Sequence, residues 1–220
     1  LFSRPHLAAS SGIVGSSAPL AAGFAMAAQL LSPGKVAFSF FGDGAANQGQ
    51  VYEAFNMAAL WKLPILYVIE NNRYAMGTAA ERHASTTSLF QRGLAFAIPG
   101  TQVDGMDVLA VREKAQEVVK YVREGNGPFV LEALTYRYRG HSMSDPGKYR
   151  TKEEVQEMRE RHDPIDRLKA IMAEHGVADE ERFKQIDKEI RDICNEAARF
   201  AQDSPEPDPA ELWTDVLVES

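Results

Sequence analysis

An aspartate between two glycines and a pair of asparagines are the residues of this chain best suited to chemistry at a charged ligand. Asp43 lies in Phe40-Phe41-Gly42-Asp43-Gly44-Ala45-Ala46-Asn47-Gln48-Gly49, and the amides lie in Ile69-Glu70-Asn71-Asn72. Carboxylate and amide oxygens are hard donors of the kind Mg²⁺ takes, and that ion usually keeps substrate phosphates in its shell. Gly42 and Gly44 let the backbone come close to a phosphate, and a helix that follows offers its N-terminal amides to negative charge. Rival phosphate motifs fail on inspection. No lysine follows Gly49, as a P-loop requires. Gly42-x-Gly44 lacks the third glycine of a dinucleotide fingerprint. Taken singly, each segment also reads as a tight turn; paired around one helix, they read as a metal and phosphate site.

That pairing depends on the elements between them. Residues 36–41 and 65–69 are short apolar runs that stop in small and polar residues, the pattern of buried strands. Residues 51–61 carry apolar side chains at helical spacing. Strand, helix, strand makes the two strands parallel and puts both carboxyl ends on one sheet edge, where ligands of open α/β sheets bind.

The rest of the chain extends this frame. A glycine and serine loop, residues 10–19, leads into a helix at 20–31 rich in Ala and Gly, which Ser32-Pro33-Gly34 ends. Its small residues predict close packing against a sheet or a neighbouring chain. Residues 73–85 read as irregular, residues 103–105 as a short strand edge, 108–123 as an amphipathic helix and 129–136 as a strand. Residues 137–150 form a polar, basic loop. Thr151 with Glu153 and Glu154 marks a helix start, its acidic residues suited to the positive end. Two or three helices with charged faces fill 151–203, and Ser204-Pro205-Glu206-Pro207-Asp208-Pro209 breaks the pattern before a tail containing Val216, Leu217 and Val218. The expected layout is an α/β domain over residues 1–150, with residues 151–220 as its helical C-terminal extension.

Composition bounds the function. A chain of 220 residues buries roughly 70% of its extended surface, enough for one good core. Hydrophobic content of 45% and charged content of 25% are those of an ordinary globular protein. The net charge of −7 argues against a nucleic-acid surface. A single cysteine, Cys194, permits no internal disulfide and no thiolate cluster, and fits a reducing compartment. No apolar run approaches the roughly 20 residues of a membrane span, and Leu1-Phe2-Ser3-Arg4-Pro5 has no signal-peptide core. Without an initiator Met, the natural start is expected to lie upstream.

Gly42-Asp43-Gly44 followed by Asn71-Asn72 resembles the diphosphate motif of thiamine-diphosphate enzymes. The longer text is more specific. Residues 42–63, then Glu70-Asn71-Asn72-Arg73-Tyr74-Ala75-Met76-Gly77-Thr78, Val103-Asp104-Gly105-Met106-Asp107 and Tyr136-Arg137-Tyr138-Arg139-Gly140-His141-Ser142-Met143-Ser144-Asp145-Pro146 resemble the alpha subunit of the pyruvate dehydrogenase component of the 2-oxoacid dehydrogenase complexes. The likeness runs from about Gly12 to the C-terminus. It implies a three-layer thiamine-diphosphate-binding fold with a mostly parallel sheet. Through it, Asp43, the Asn72 side chain and the Tyr74 carbonyl are expected to hold Mg²⁺. Gly44 and Ala45 would meet the diphosphate, and Gly12 and Val14 the aminopyrimidine ring. His141, in the entrance loop beside Arg139, is the catalytic candidate and lies near the diphosphate. Before Gly12 this chain reads Leu7-Ala8-Ala9-Ser10-Ser11, where the family usually carries glycines.

The resemblance also implies the reaction and its partners. Pyruvate is decarboxylated oxidatively, and the acetyl group passes to a lipoyl group of the acyltransferase component. The glutamate that activates the cofactor belongs to a beta subunit, so the chain is expected to be inactive alone and to work in an alpha2-beta2 heterotetramer. Branched-chain 2-oxoacid or acetoin dehydrogenase alpha subunits, or a non-catalytic assembly partner, are the alternatives. Ser142 matches a serine phosphorylated in mitochondrial members, whereas Gly147-Lys148-Tyr149 resembles the shorter bacterial form. That form implies a bacterial cytoplasm, with the mitochondrial matrix as the alternative.

Overall fold

A computed structural model describes residues 10–214. The sequence readings at residues 1–9 and at 216–218 lie outside them. Two compact units divide the chain, Leu1–Leu168 and Lys169–Ser220.

The first unit is built on a parallel sheet. Its strands are β1 (Ala37–Gly42), β2 (Ile65–Asn71), β5 (Gly100–Asp104) and β6 (Phe129–Leu134), in the spatial order β1-β2-β6-β5. All three pairings are parallel, and Gly42 stands opposite Glu70 while Asn71 stands opposite Leu134. β2 is buried at five consecutive positions, Ile65 to Ile69, as expected of a strand covered on both faces. Helix α2 (Gly49–Leu60) is the predicted crossover between β1 and β2. Residues 103–105, read as a short strand edge, coincide only in part with β5, which begins three residues earlier and stops at Asp104, at the border of the sheet.

Two cores make the architecture three-layered. On one face Tyr67, Ile69 and Val130 pack with Val51, Ala54, Phe55 and Ala58 of α2 and with the buried alanines of α1 (Ser17–Leu31). On the other face Leu66, Val68, Val103 and Leu131 pack with Val118 of α4 (Val108–Tyr121) and with Val122. The small residues of α1 are thus explained by close packing: Ala18, Ala21, Ala22 and Ala25 are buried, and α1 lies against both β1 and α2. Its other side leaves Phe24, Leu30 and Leu31 exposed.

Residues 73–85 are more ordered than the sequence predicts. A two-stranded antiparallel hairpin, β3 (Tyr74–Ala75) with β4 (Thr78–Ala79), runs into the short helix α3 (Ala80–His83). Such short strands leave no periodicity to read. The 108–123 helix also ends differently: α4 stops at Tyr121 and continues as a wider turn, Val122–Asn126, with Gly125 at a φ of 82°. Thr151 caps α5 (Lys152–His162) as expected, its hydroxyl accepting from the Glu154 N–H at 3.1 Å. Helix α6 (Pro164–Glu174) follows and crosses the division of the two units.

In the second unit α7 (Glu180–Asp203) starts on Asp179, whose carboxylate accepts from the Arg182 N–H. Phe183 is buried beneath the Lys169 ammonium, 5.8 Å from the ring centre. Ile190, Ile193 and Phe200 of α7 are exposed, so its outer surface is less uniformly charged than the composition predicts. No helix among the described residues is long and apolar enough to cross a membrane.

Candidate metal and phosphate site

The carboxyl ends of β1 and β2 bring the two predicted segments together. Gly42 is the last residue of β1 and pairs with Glu70, so Asp43 leaves the sheet beside Asn71 and Asn72. Asp43 is only 2% exposed. The turn after it closes on the hairpin: a Cβ built on Gly44 would lie 2.7 Å from the Cβ of Ala75. Only a glycine lets the Asp43 turn approach Tyr74 and Ala75 this closely. Ala45 begins a single 3₁₀ turn, Ala45–Asn47, that leads into α2.

On the other side, Asn72 is half-buried, and its side-chain oxygen accepts from the Tyr74 N–H at 3.1 Å. The Tyr74 carbonyl accepts from the Arg137 guanidinium at 3.3 Å. An amide or carbonyl oxygen has two lone pairs, so each keeps one for a cation. The donors are therefore a carboxylate, an amide oxygen and a backbone carbonyl. No group of three or more His, Cys, Asp or Glu side chains suited to a metal occurs among the described residues. A cation here would take few protein ligands, all oxygens, with a ligand's phosphates completing its shell, which fits Mg²⁺.

The predicted residues at Gly12 and Val14 lie on a turn joined to α2. The Gln50 side-chain amide donates to the Val14 carbonyl at 2.7 Å, and Gly15, at a φ of 85°, packs on Gln48. Gly12 and Val14 are exposed. His141 and Ser142 are exposed as well, on the loop after β6. The His141 N–H donates to an Asp145 oxygen at 2.7 Å, and the hydroxyls of Ser142 and Ser144 are 3.1 Å apart.

Residues outside the predicted set tie these segments together. The His83 Nδ1 stands 3.1 Å from the Asn47 amide nitrogen, and its Nε2 stands 3.1 Å from Oδ2 of Asp43. With Nδ1 accepting, the ring proton sits on Nε2 and is donated to Asp43. Arg137 donates also to the Met76 carbonyl at 2.6 Å and to the Tyr149 hydroxyl at 2.7 Å, docking its loop on the hairpin. Tyr149 stacks obliquely on Tyr74, with centroids 5.1 Å apart, and the Arg150 guanidinium lies over the rings of Tyr74, Tyr136 and Tyr149. Burial and the nearby Glu154 carboxylate push the Tyr136 hydroxyl up to about 12. Asp145 accepts from the N–H groups of His141 and Gly147 and from the Tyr149 hydroxyl, which holds its carboxyl down at about 2. Glu132 is fully buried on β6 and bonded to Asn71. One sequence signal could have found it, as the lone charge in the apolar run Phe129 to Leu134. Nothing in the spacing marks His83.

Residues 3–210 match the family described as the dehydrogenase E1 component. Three relatives illustrate the likeness. A pyruvate dehydrogenase E1 component subunit alpha from Rhizobium meliloti is 57% identical over 219 residues, covering 99% of this chain and 63% of the relative. Its counterpart from Zymomonas mobilis is 52% identical, over 99% of this chain and 62% of the relative. The mitochondrial somatic form from Homo sapiens is 52% identical over 203 residues, 92% of this chain and 52% of the relative. The chain thus spans between half and two thirds of the length of these curated relatives. With the family match running along nearly its whole length, the chain belongs to the dehydrogenase E1 component family.

Proposed function

We propose that this chain supplies the diphosphate- and cation-binding half of a thiamine-diphosphate-dependent pyruvate dehydrogenase, as its alpha subunit. The observation that carries this reading is the closure of the Asp43-Gly44 turn on the Tyr74–Ala75 strand at the carboxyl ends of β1 and β2. When bound, thiamine diphosphate supplies the electron sink for decarboxylating a 2-oxoacid. The residues of this chain bind and orient it. Asp43, Asn72 and the Tyr74 carbonyl hold Mg²⁺, and the backbone at Gly44 and Ala45 meets the diphosphate. Gly12 and Val14 hold the aminopyrimidine ring by their backbone. His141, on a loop that Arg137 docks beside Tyr74, stands at the entrance near the diphosphate.

The partners follow from the same reading. A beta subunit completes an alpha2-beta2 heterotetramer and provides the activating carboxylate; the acetyl group then goes to the lipoyl acyltransferase component. Apolar side chains left exposed on α1, with Phe38 and Phe40 stacked and half-exposed on β1, support a surface that other protein covers. The likeness to alpha subunits of Rhizobium meliloti and Zymomonas mobilis supports a bacterial cytoplasm, which we propose as the compartment.

Calorimetric titration with thiamine diphosphate and Mg²⁺, with and without a beta chain, tests the reading. Binding that Asp43→Ala abolishes supports it; weak binding indifferent to that change favours a non-catalytic assembly partner. A decarboxylation assay of the assembled pair, comparing pyruvate with branched-chain 2-oxoacids and acetoin, then decides the substrate.

A further inference from the structure

We propose that Glu132 is a positioning residue that holds the two halves of this site in place, an inference that rests on the ligand assignment above. Glu132 sits on β6, an inner strand of the sheet, and is 0% exposed. An acidic side chain buried so completely is costly unless its hydrogen bonds are made. Both of its oxygens are used. Oε1 accepts from the Asn71 side-chain amide at 2.7 Å, and Oε2 accepts from the Phe90 N–H at 3.1 Å.

Each bond leads to one half of the site. On the first side, Asn71 passes the constraint on: its side-chain oxygen accepts from the Arg73 N–H at 3.0 Å, and its carbonyl accepts from the Thr135 N–H at 2.8 Å. Arg73 has a φ of 71°, a left-handed conformation rare for a residue with a side chain. The turn so held presents the Asn72 side chain and the Tyr74 carbonyl. On the second side, Phe90 belongs to the 3₁₀ segment Leu89–Phe96. That segment is pressed on the sheet: a Cβ on Gly93 would lie 3.1 Å from Val130, and one on Gly100 would lie 2.8 Å from the Phe90 carbonyl. Two residues beyond Phe90, the Arg92 guanidinium donates to the Ala46 carbonyl at 2.7 Å and to the Tyr52 hydroxyl at 3.0 Å. Ala46 lies in the turn that carries Gly44 and Ala45. One carboxylate therefore links the Asn72-Tyr74 turn to the Asp43-Ala46 turn, and it touches neither ligand position itself.

The donor pattern makes the test specific. Glu132→Gln keeps the shape but sets an N–H₂ against either the Asn71 amide or the Phe90 N–H. Combining it with Asn71→Asp exchanges donor and acceptor. The amide introduced at 132 then donates to the carboxylate introduced at 71, whose other oxygen still accepts from Arg73. With the chain assembled with a beta subunit and saturated with thiamine diphosphate, calorimetry reads the Mg²⁺ Kd separately from the number of sites. Losing a residue that orients metal ligands typically weakens affinity about 10- to 100-fold, so E132Q is expected to raise Kd by that factor. The double variant is expected to return to within a few-fold of the starting value. An unchanged Kd in E132Q, a fall only in the number of sites, or a Kd that the double variant leaves raised would overturn the proposal. If E132Q does not fold, Asn71→Ala cuts the same link from the other side, and a wild-type Kd there overturns it equally. Amide exchange at Arg73 without ligand separates the two readings. If the wild type binds no Mg²⁺ but E132Q loses at least about tenfold protection at Arg73, the ligand assignment fails and the positioning role stands. Retained protection removes that role.

Discussion

His83 Nε2 stands 3.1 Å from Oδ2 of Asp43, so the buried carboxylate proposed to take a cation is shared with an imidazole. The N–H that points at Oδ2 takes up one of that oxygen's lone pairs, and a cation cannot share it. Binding at Oδ2 must displace His83 or draw on what Asp43 has left.

His83→Ala should therefore act oppositely on the free and bound protein. Removing the partner of a buried acceptor costs about 1–3 kcal/mol, so the ligand-free melting temperature should fall. A Mg²⁺ ion restores the missing partner, so affinity should tighten by roughly tenfold, the equivalent of about 1.4 kcal/mol. Thermal melts with and without Mg²⁺ and thiamine diphosphate measure both effects. A weaker Kd in the variant would instead make His83 a support of the bound carboxylate.

Gly44→Ala tests the closure of the site. The added methyl would stand 2.7 Å from the Ala75 Cβ, nearer than side-chain carbons approach, so the Asp43 turn or the hairpin must shift. Overpacking of this kind costs about 1–3 kcal/mol. The variant should lose Mg²⁺-dependent cofactor binding by calorimetry while remaining folded by circular dichroism. Ala75→Gly added to it removes the opposing methyl and should restore binding. Full binding by the single variant would contradict the geometry.

The strand, helix, strand frame was readable because each apolar run ends abruptly, at Gly42-Asp43-Gly44 and at Asn71-Asn72, and residues 51–61 keep helical spacing throughout. The Thr151 cap was readable for a similar reason, since a hydroxyl followed by two glutamates is a local signal. The hairpin and α3 were not. Their order comes from Arg137 and Tyr149, 63 residues beyond Tyr74 in the first case, and no local pattern encodes a contact at that distance. His83 has the same origin: it reaches Asp43 only because the hairpin turns the chain back, across a separation of 40 residues. Glu132 lies between these extremes. A charge within an apolar strand is visible in the sequence, but its partners at Asn71 and Phe90 are set by sheet order.

Arg137→Lys should free the loop that carries His141. The guanidinium reaches the Tyr74 carbonyl, the Met76 carbonyl and the Tyr149 hydroxyl together, and an ammonium cannot span that fork. Limited proteolysis should cut within residues 137–150 at least about tenfold faster than in the wild type, with little change in the melting temperature of the sheet. Equal cutting rates would show that the Tyr149 stacking on Tyr74 and the Arg150 bonds to the Arg137 and Arg139 carbonyls suffice.

Asp145 gives the same loop an acid limit. Its carboxyl is held at about 2 by the N–H groups of His141 and Gly147 and by the Tyr149 hydroxyl, below the ordinary value near 3.8. A carboxyl whose pKa is lowered on folding adds order that is complete above its unfolded value and lost as pH falls through its folded value. Amide protection at His141 and Gly147 should therefore be flat from about pH 5 to 8 and collapse between about pH 4 and 2. In Asp145→Asn one acceptor remains, so protection should be reduced at every pH and the acid step should vanish. Amide exchange followed by NMR across that range measures both. A fall centred well above that window would show that the Asp145 carboxyl does not control the order of the loop.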